Sequence, residues 1–204
     1  MRFAPGALRL GLLSASAALL ASFLLPVGLL FVPVAFLAGV YFLRDPERTP
    51  ADAPDGEGVL APADGRVSVV REEGERVRVG VFMNVTDVHV NRAPLAGTVE
   101  SVTHEPGANR PAFSKDSDRN EKVHIDCGSF TVTLIAGWFA RRITTYPDPG
   151  AELARGERIG HIDFGSRADI LLPEAYDTGD VAVERGESVR AGETVIASSP
   201  PSPP

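Results

Sequence analysis

The distribution of apolar positions divides the chain into two parts. Residues 10–43 carry no charged side chain and are mostly apolar, whereas charged residues are frequent in everything that follows. A single helix of this length would measure about 50 Å, but the hydrocarbon core of a bilayer is only about 30 Å thick. The break at Pro26-Val27-Gly28 therefore predicts two short membrane segments, which form an N-terminal transmembrane helical hairpin within residues 1–44.

Basic residues flank this apolar stretch on both sides, with Arg2 and Arg9 before it and Arg44 and Arg48 after it. Lys and Arg are enriched on cytoplasmic flanks. Both ends are therefore expected on the cytoplasmic side of the cell membrane, which requires an even number of crossings. Two alternatives stay open. One is a signal peptide with residues 10–25 as its apolar region, and the other is a single crossing with the second apolar run lying in the interface.

A pattern of short strands follows the segment 45–57, whose Pro and Asp content predicts a linker. No helical period of useful length occurs from residue 58 onward. Alternating or β-branched runs of strand length instead predict an all-β domain over residues 58–204. The predicted strands are 66–70, 76–82, 97–103, 122–125, 130–135 and 170–172.

One short pattern occurs twice in this domain. Residues 150–159 and 186–195 share two glycines six positions apart, an apolar residue midway between them and a Gly-Glu pair. Glycine provides the positive φ that tight turns require, and the apolar residues are expected to point inward. Such hairpins are typical of lipoyl- and biotinyl-type flattened barrels. The repeat therefore predicts a barrel-sandwich-hybrid-like β domain in which two sheets pack together.

The charge balance excludes some classes of function. All 27 acidic residues lie from Asp45 onward, together with 17 of the 20 basic residues, so this part of the chain carries a net charge of −10. Such a surface repels polyphosphate, which argues against nucleic acid as a partner. The single cysteine, Cys127, excludes an internal disulfide and a cysteine-cluster zinc site. No two histidines have the spacing of metal ligands, so no metal is expected.

Few residues stand out as candidates for chemistry when taken alone. In a strand, Asp87, His89 and Asn91 would share one face, and a nearby carboxylate can raise the basicity of an imidazole. Ser166 lies in an ordinary Gly-Ser turn. Arg141-Arg142 could bind a phosphate or carboxylate, although adjacent arginines are more often a solvated edge.

Six segments in order resemble the phosphatidylserine decarboxylase family, especially its short, membrane-anchored branch that includes the archaetidylserine decarboxylases. The resemblance covers roughly residues 58–173. The segments are Pro62-Ala63-Asp64-Gly65, residues 87–94 (DVHVNRAP), Lys115-Asp116-Ser117 with Asn120-Glu121, Ala136-Gly137, Ala140-Arg141-Arg142-Ile143 and residues 156–173 (GERIGHIDFGSRADILLP).

This resemblance implies a proenzyme that cuts itself between Gly165 and Ser166. The expected products are chains 1–165 and 166–204, which stay together as a heterodimer, and a further homo-oligomer is left open. Ser166 is expected to become a covalent pyruvoyl group that forms a Schiff base with the substrate's amine, so that no added cofactor or metal is needed.

Two further roles are implied by position within the resemblance. Asp64 matches the aspartate of the family's self-cleavage relay, and His89 matches a histidine that acts as acid or base in decarboxylation. The longer bacterial branch has a second histidine three residues later, where this chain has Arg92. Either His89 performs both tasks or another group activates Ser166. Arg141, Arg142 and Arg167 are candidates to hold the substrate's phosphate or carboxylate.

The expected reaction converts phosphatidylserine or archaetidylserine to the corresponding ethanolamine lipid and CO₂. One alternative is a membrane-tethered carrier of the lipoyl or biotinyl type, which requires a modifiable lysine at a hairpin tip. Both lysines of the chain, Lys115 and Lys122, lie outside the two repeated hairpins. The other alternative is an inactive structural relative.

Overall fold

The computed structural model describes residues 2–22, 31–52, 58–107, 120–137, 143–162 and 165–198. It divides the chain into two compact units, Met1–Glu47 and Arg48–Pro204. Each unit is described by itself.

The first unit contains two short helices held side by side. Strand β1 (Arg2–Phe3) precedes helix α1 (Ala7–Ser22), and helix α2 (Val32–Phe42) precedes strand β2 (Arg44–Asp45). Because β1 and β2 pair antiparallel, α1 begins where α2 ends and the two helices run in opposite directions.

The two helices approach each other closely at a pair of glycines, Gly11 and Gly39. A Cβ added at Gly39 would lie 3.0 Å from the Cα of Gly11 and 2.9 Å from the Oγ of Ser14. Larger side chains at these positions would push the helices apart. The hairpin arrangement of the prediction is therefore present, while its turn at Pro26-Val27-Gly28 lies outside the described residues.

Many large apolar side chains of this unit are exposed, and they occur on both helices. They are Leu8, Leu12, Leu13, Leu19, Leu20, Phe31, Val34, Leu37 and Tyr41. Among the helices that the structure describes, none is both long enough and apolar enough to cross a membrane. The predicted transmembrane hairpin stays a prediction.

The second unit is mainly β, as the sequence predicts. Its strands are β3 (Val59–Leu60), β4 (Gly65–Glu73), β5 (Arg76–Met83), β6 (Val90–Arg92), β7 (Gly97–Thr98), β8 (Ser101–Glu105), β9 (Lys122–Asp126), β10 (Thr131–Ile135), β11 (Ile143–Thr145), β12 (Glu152–Leu153), β13 (Arg158–Ile162), β14 (Ser166–Leu171), β15 (Ser188–Val189) and β16 (Val195–Ala197). A short 3₁₀ helix, Thr178–Asp180, lies between β14 and β15.

A seven-stranded sheet in the order β15-β4-β5-β14-β10-β9-β8 forms the main layer. All its neighbouring strands pair antiparallel. Side chains alternate between its two faces. On one face, Val81, Leu134 and Ala168 join the hydrophobic core, which also contains Ile159 and Ile196 from the smaller sheets. The other face carries the charged side chains of the same strands.

The smaller sheets contain two copies of one backbone motif. Residues 61–65 and 93–97 both read Ala-Pro-x-x-Gly. The two copies lie antiparallel and are joined by a reciprocal pair of backbone hydrogen bonds, Leu60 N to Pro94 O at 3.0 Å and Arg92 N to Pro62 O at 2.9 Å.

Each copy also receives one of the repeated glycine turns. The N–H of Gly192 donates to Ala61 O at 2.9 Å, and the N–H of Gly156 donates to Ala93 O at 2.8 Å. Both glycines have a positive φ, which side chains rarely tolerate. The sequence repeat in 150–159 and 186–195 is therefore a structural repeat with approximate two-fold symmetry.

Several predictions for this unit differ from the structure. The run 97–103 forms two strands, β7 and β8, and the last predicted strand begins four residues earlier, at Ser166. The predicted linker 45–57 is also not free over its described part. Asp45 belongs to β2, and Arg48 forms ion pairs with Asp64 and Glu193.

Candidate active site

Ser166 is the first residue of β14, and it pairs with Met83 of β5. Its side chain is completely buried on the core face of the sheet. The hydroxyl donates to the Sδ of Met83 at 3.9 Å, and a thioether sulfur is a weak acceptor. The hydroxyl is therefore excluded from solvent and only loosely held.

Gly165, just before this serine, has φ +56°. This is the left-handed region, which costs most other residues about 1–2 kcal/mol. A Cβ added at Gly165 would meet no described atom within 4 Å. The need for glycine here comes from the backbone conformation rather than from crowding.

His89 lies just before β6 and is completely buried. Its Nδ1 lies 3.0 Å from the backbone oxygen of Asp87. Because a carbonyl oxygen only accepts, Nδ1 carries the proton and Nε2 has the lone pair. The carbonyl of His89 accepts from the N–H of Ile162 at 3.3 Å, which fixes His89 beside the end of β13, three residues before Gly165.

The imidazole of His89 contacts the backbone oxygen of Asp87 rather than its carboxylate. That carboxylate accepts a hydrogen bond from the backbone N–H of Asn84 at 2.7 Å, which closes a local turn. Asp87 therefore orients the imidazole through its backbone oxygen only.

Asn91, two residues after His89 on β6, is also completely buried. Its Nδ2 donates to Pro62 O at 3.4 Å and to the Sδ of Met83 at 3.7 Å. Asn91 and Ser166 thus contact the same sulfur atom. The alternation of side chains along the strand predicts that Asn91 lies on the face of His89, but no sequence signal assigns it a role.

Asp64 lies in the first Ala-Pro-x-x-Gly copy, just before β4. Its Oδ1 accepts from the backbone N–H of Ala191 and its Oδ2 pairs with Arg48, both at 2.8 Å. Burial raises the pKa of Asp64, although both hydrogen bonds oppose that change. The carboxylate is engaged by these two partners, and the structure does not bring it into contact with Ser166 or His89.

A polar cavity of about 380 Å³ opens beside Asp64 and is also lined by Asp87, Gly65 and Arg190. Gly65 forms the wall toward the site, since a Cβ there would lie 3.2 Å from the Cα of Met83.

Arg92, in the position of the missing histidine, has a structural role. Its side chain is buried, and its NH1 donates to the carbonyl of Gly156 at 3.0 Å. A Cβ added at Gly192 would lie 2.6 Å from the Cδ of Arg92. The arginine therefore packs between the two glycine turns.

The structure does not bring Arg167 to Ser166. Consecutive residues of a strand point to opposite faces, and Arg167 lies on the face away from the core. There it forms two hydrogen bonds with the buried carboxylate of Asp169, at 2.8 and 3.0 Å. This pair lines a separate cavity of about 170 Å³ with Arg78 and Lys122. Arg141 and Arg142 lie outside the described residues.

The described ranges contain no group of three or more His, Cys, Asp or Glu side chains able to hold a metal ion.

Comparison with known proteins identifies the family of this chain. The family model for phosphatidylserine decarboxylase matches residues 36–197. The chain belongs to the phosphatidylserine decarboxylase family. The matched region includes every residue of the candidate site, from Asp64 to Ser166.

Members of the decarboxylase family from archaea and bacteria resemble this chain over most of their length. A Halobacterium salinarum protein, named as an archaetidylserine decarboxylase proenzyme, is 61% identical over 173 residues, which cover 84% of this chain and 86% of the relative. A Streptomyces griseus protein, named phosphatidylserine decarboxylase proenzyme, is 50% identical over 172 residues, which cover 81% of this chain and 77% of the relative. No solved structure matches the chain.

Proposed function

We propose that this protein is a self-processing, pyruvoyl-dependent decarboxylase that converts phosphatidylserine or archaetidylserine to the ethanolamine lipid and CO₂. Membership of the decarboxylase family supports the reaction, and the word proenzyme in the names of its relatives supports self-processing. The observation that carries the proposal is the pair at residues 165 and 166. A buried serine follows a left-handed glycine, and a buried histidine is fixed at the end of the preceding strand.

Self-cleavage uses groups of the chain and one water molecule. Ser166 Oγ attacks the carbonyl carbon of Gly165, the hydroxyl proton passes to the nitrogen of residue 166 as the C–N bond breaks, and an ester forms. A base then removes the α-proton of residue 166, and the Cβ–O bond breaks so that Gly165 leaves as a carboxylate. The resulting dehydroalanine tautomerises to an imine, and water releases ammonia and leaves a ketone at the start of residues 166–204.

His89 is the group that can move protons at this position. Its Nδ1–H is held by the Asp87 carbonyl, so Nε2 is the atom that accepts a proton from Ser166 and later returns one to the carbon from which CO₂ departs. A pyruvoyl ketone at the start of residues 166–204 would supply an electrophile for the substrate's amine and an electron sink for the loss of CO₂. Complete burial of His89 keeps competing water away from this proton transfer.

The two chains are expected to remain together as a heterodimer. Residues 166–204 contribute β14, which lies between β5 and β10, and also β15 and β16, which pair with β4 and β3. Separation would break the pairing of two sheets and expose their core faces.

The first unit is proposed to enter the cell membrane as a helical hairpin, with the catalytic unit on the cytoplasmic side. The exposed apolar side chains of α1 and α2 and the close contact between Gly11 and Gly39 support this, because small residues let helices associate in lipid. A cysteine introduced in the catalytic unit should not react with a labelling reagent that is added outside intact cells. Such a reaction would contradict the proposed topology.

The barrel-sandwich-hybrid architecture is likewise proposed for the second unit. The two-fold arrangement of its Ala-Pro-x-x-Gly copies and glycine turns supports it. The alternative of a lipoyl- or biotinyl-type carrier has no support from the lysine positions, since Lys122 lies within β9 and Lys115 lies outside the described residues.

The test is the intact mass of the purified protein. Wild type should give chains 1–165 and 166–204, the smaller with a ketone in place of its N-terminal amine, and should release CO₂ from serine phospholipids. Diacyl and ether-linked substrates compared side by side identify the preferred tail. Ser166→Ala should remain one inactive chain. An active wild type with an intact Gly165–Ser166 bond would refute the proposal.

A further inference from the structure

Asn91 has hydrogen-bonding capacity that the described structure leaves unused. Its amide is buried, its Nδ2 makes only a long bond to Pro62 and a weak one to Met83, and its Oδ1 has no hydrogen-bond partner in the described ranges. Pro62 O can only accept, so Nδ2 is the atom that faces it and Oδ1 points the other way. An unsatisfied buried amide oxygen destabilises a fold, so its presence calls for an explanation.

The position of this amide suggests the explanation. Met83, Asn91 and Ser166 come from three strands, β5, β6 and β14. The Sδ of Met83 lies 3.7 Å from the Nδ2 of Asn91 and 3.9 Å from the Oγ of Ser166. The hydroxyl of Ser166 must leave the sulfur to reach the carbonyl of Gly165. Because sulfur is a weak acceptor, that exchange costs little.

We propose that Asn91 is a positioning residue for self-cleavage: its Oδ1 accepts the hydrogen bond of the Ser166 hydroxyl and holds Oγ for attack on Gly165. An amide does not accept a proton near neutral pH, so Asn91 orients the nucleophile only before the attack. Because the hydroxyl has a single hydrogen, it turns that hydrogen from Oδ1 to His89 when the attack begins, and His89 takes the proton. This inference rests on the proposed function and names the unassigned group that prepares Ser166.

Two substitutions separate this role from simple packing. Asn91→Leu removes both the acceptor and the donor, whereas Asn91→Asp keeps an oxygen in the place of Oδ1. Burial raises the pKa of such a carboxyl, and its ionised form is the stronger acceptor. Thr133→Val serves as the control, because Thr133 is a buried polar residue on the opposite face of the sheet.

The experiment follows full-length precursor made by cell-free synthesis with detergent micelles. Mass spectrometry measures the rate at which chain 166–204 appears between pH 6 and 9. We expect Asn91→Leu to cleave at least tenfold more slowly than wild type and Thr133→Val to cleave at the wild-type rate. For Asn91→Asp we expect the ratio of its cleavage rate to the wild-type cleavage rate to rise with pH.

The outcomes distinguish this inference from the function on which it rests. If wild type is not cut between residues 165 and 166, the proposed function fails. If wild type is cut and Asn91→Leu is cut equally fast, only the role of Asn91 is refuted. Should Asn91→Leu fail to fold, the Asn91→Asp series decides, since a ratio independent of pH means that the amide acts only in packing.

Discussion

The left-handed conformation of Gly165 leads to a quantitative prediction for Gly165→Ala. At φ +56° an alanine costs about 1–2 kcal/mol. No described atom lies within 4 Å of the added methyl group, so crowding adds nothing. If the backbone instead relaxes out of the left-handed region, the Gly165 carbonyl turns away from Ser166 for most of the time. The same free energy then slows cleavage by roughly 5- to 30-fold.

A matched control exists in the turn between β4 and β5. Gly74 has φ +66° and also has open space at its Cβ position. Gly74→Ala should therefore lose the same 1–2 kcal/mol of unfolding free energy but cleave at the wild-type rate. Asparagine tolerates the left-handed region better than alanine, so Gly165→Asn should recover part of both losses.

Two assays give the two quantities. Urea denaturation in a Ser166→Ala background measures the unfolding free energy of a single, uncut chain. A time course of chain 166–204 by mass spectrometry measures cleavage. Cleavage of Gly165→Ala at the wild-type rate, together with the expected loss of stability, would show that the left-handed carbonyl orientation is irrelevant to the attack.

Two further predictions concern buried ionisable groups away from Ser166. Asp169→Asn should cost about 3–5 kcal/mol of unfolding free energy, because the buried guanidinium of Arg167 loses its carboxylate. The folded fraction of this variant should still cleave at the wild-type rate. Slowed cleavage would mean that the sheet face carrying Asp169 communicates with the site. Burial raises the pKa of the Cys127 thiol from 9.0 to about 11. The associated stability is present below pH 9 and is lost as pH rises through 11, so wild type should lose up to about 2–3 kcal/mol more than Cys127→Val over that range in urea titrations at each pH. Parallel curves for the two proteins would contradict this.

The fold was predictable where neighbouring residues alone determine the local structure. The glycine repeat at 150–159 and 186–195 was visible because a tight turn constrains the very residues that form it. Strand β14 was predicted only in its apolar part, since Arg167 and Asp169 look like surface residues. They are buried because each satisfies the charge of the other, and a propensity pattern does not contain that pairing.

The site was predictable in part for the same reason. Alternation along one strand placed His89 and Asn91 on one face. Asp87 contacts the imidazole through its backbone oxygen, because its carboxylate has a nearer partner in the turn that it closes, a common competition for short acidic side chains. The contact of Asn91 with Met83 spans 8 positions and the pairing of Asp64 with Arg48 spans 16. Both cross irregular turns whose path the periodicity of the strands does not predict.

The position of β14 between β5 and β10 has a consequence for how the enzyme keeps its prosthetic group. A diffusible cofactor leaves its protein at a rate set by its dissociation constant, and activity then depends on resupply. Here the reactive carbonyl would be the first residue of a strand hydrogen-bonded on both sides, so it could be lost only by unfolding the sheet. Dilution, dialysis and long storage should then leave the occupancy of every cleaved molecule unchanged, and the working life of the enzyme becomes the lifetime of its fold.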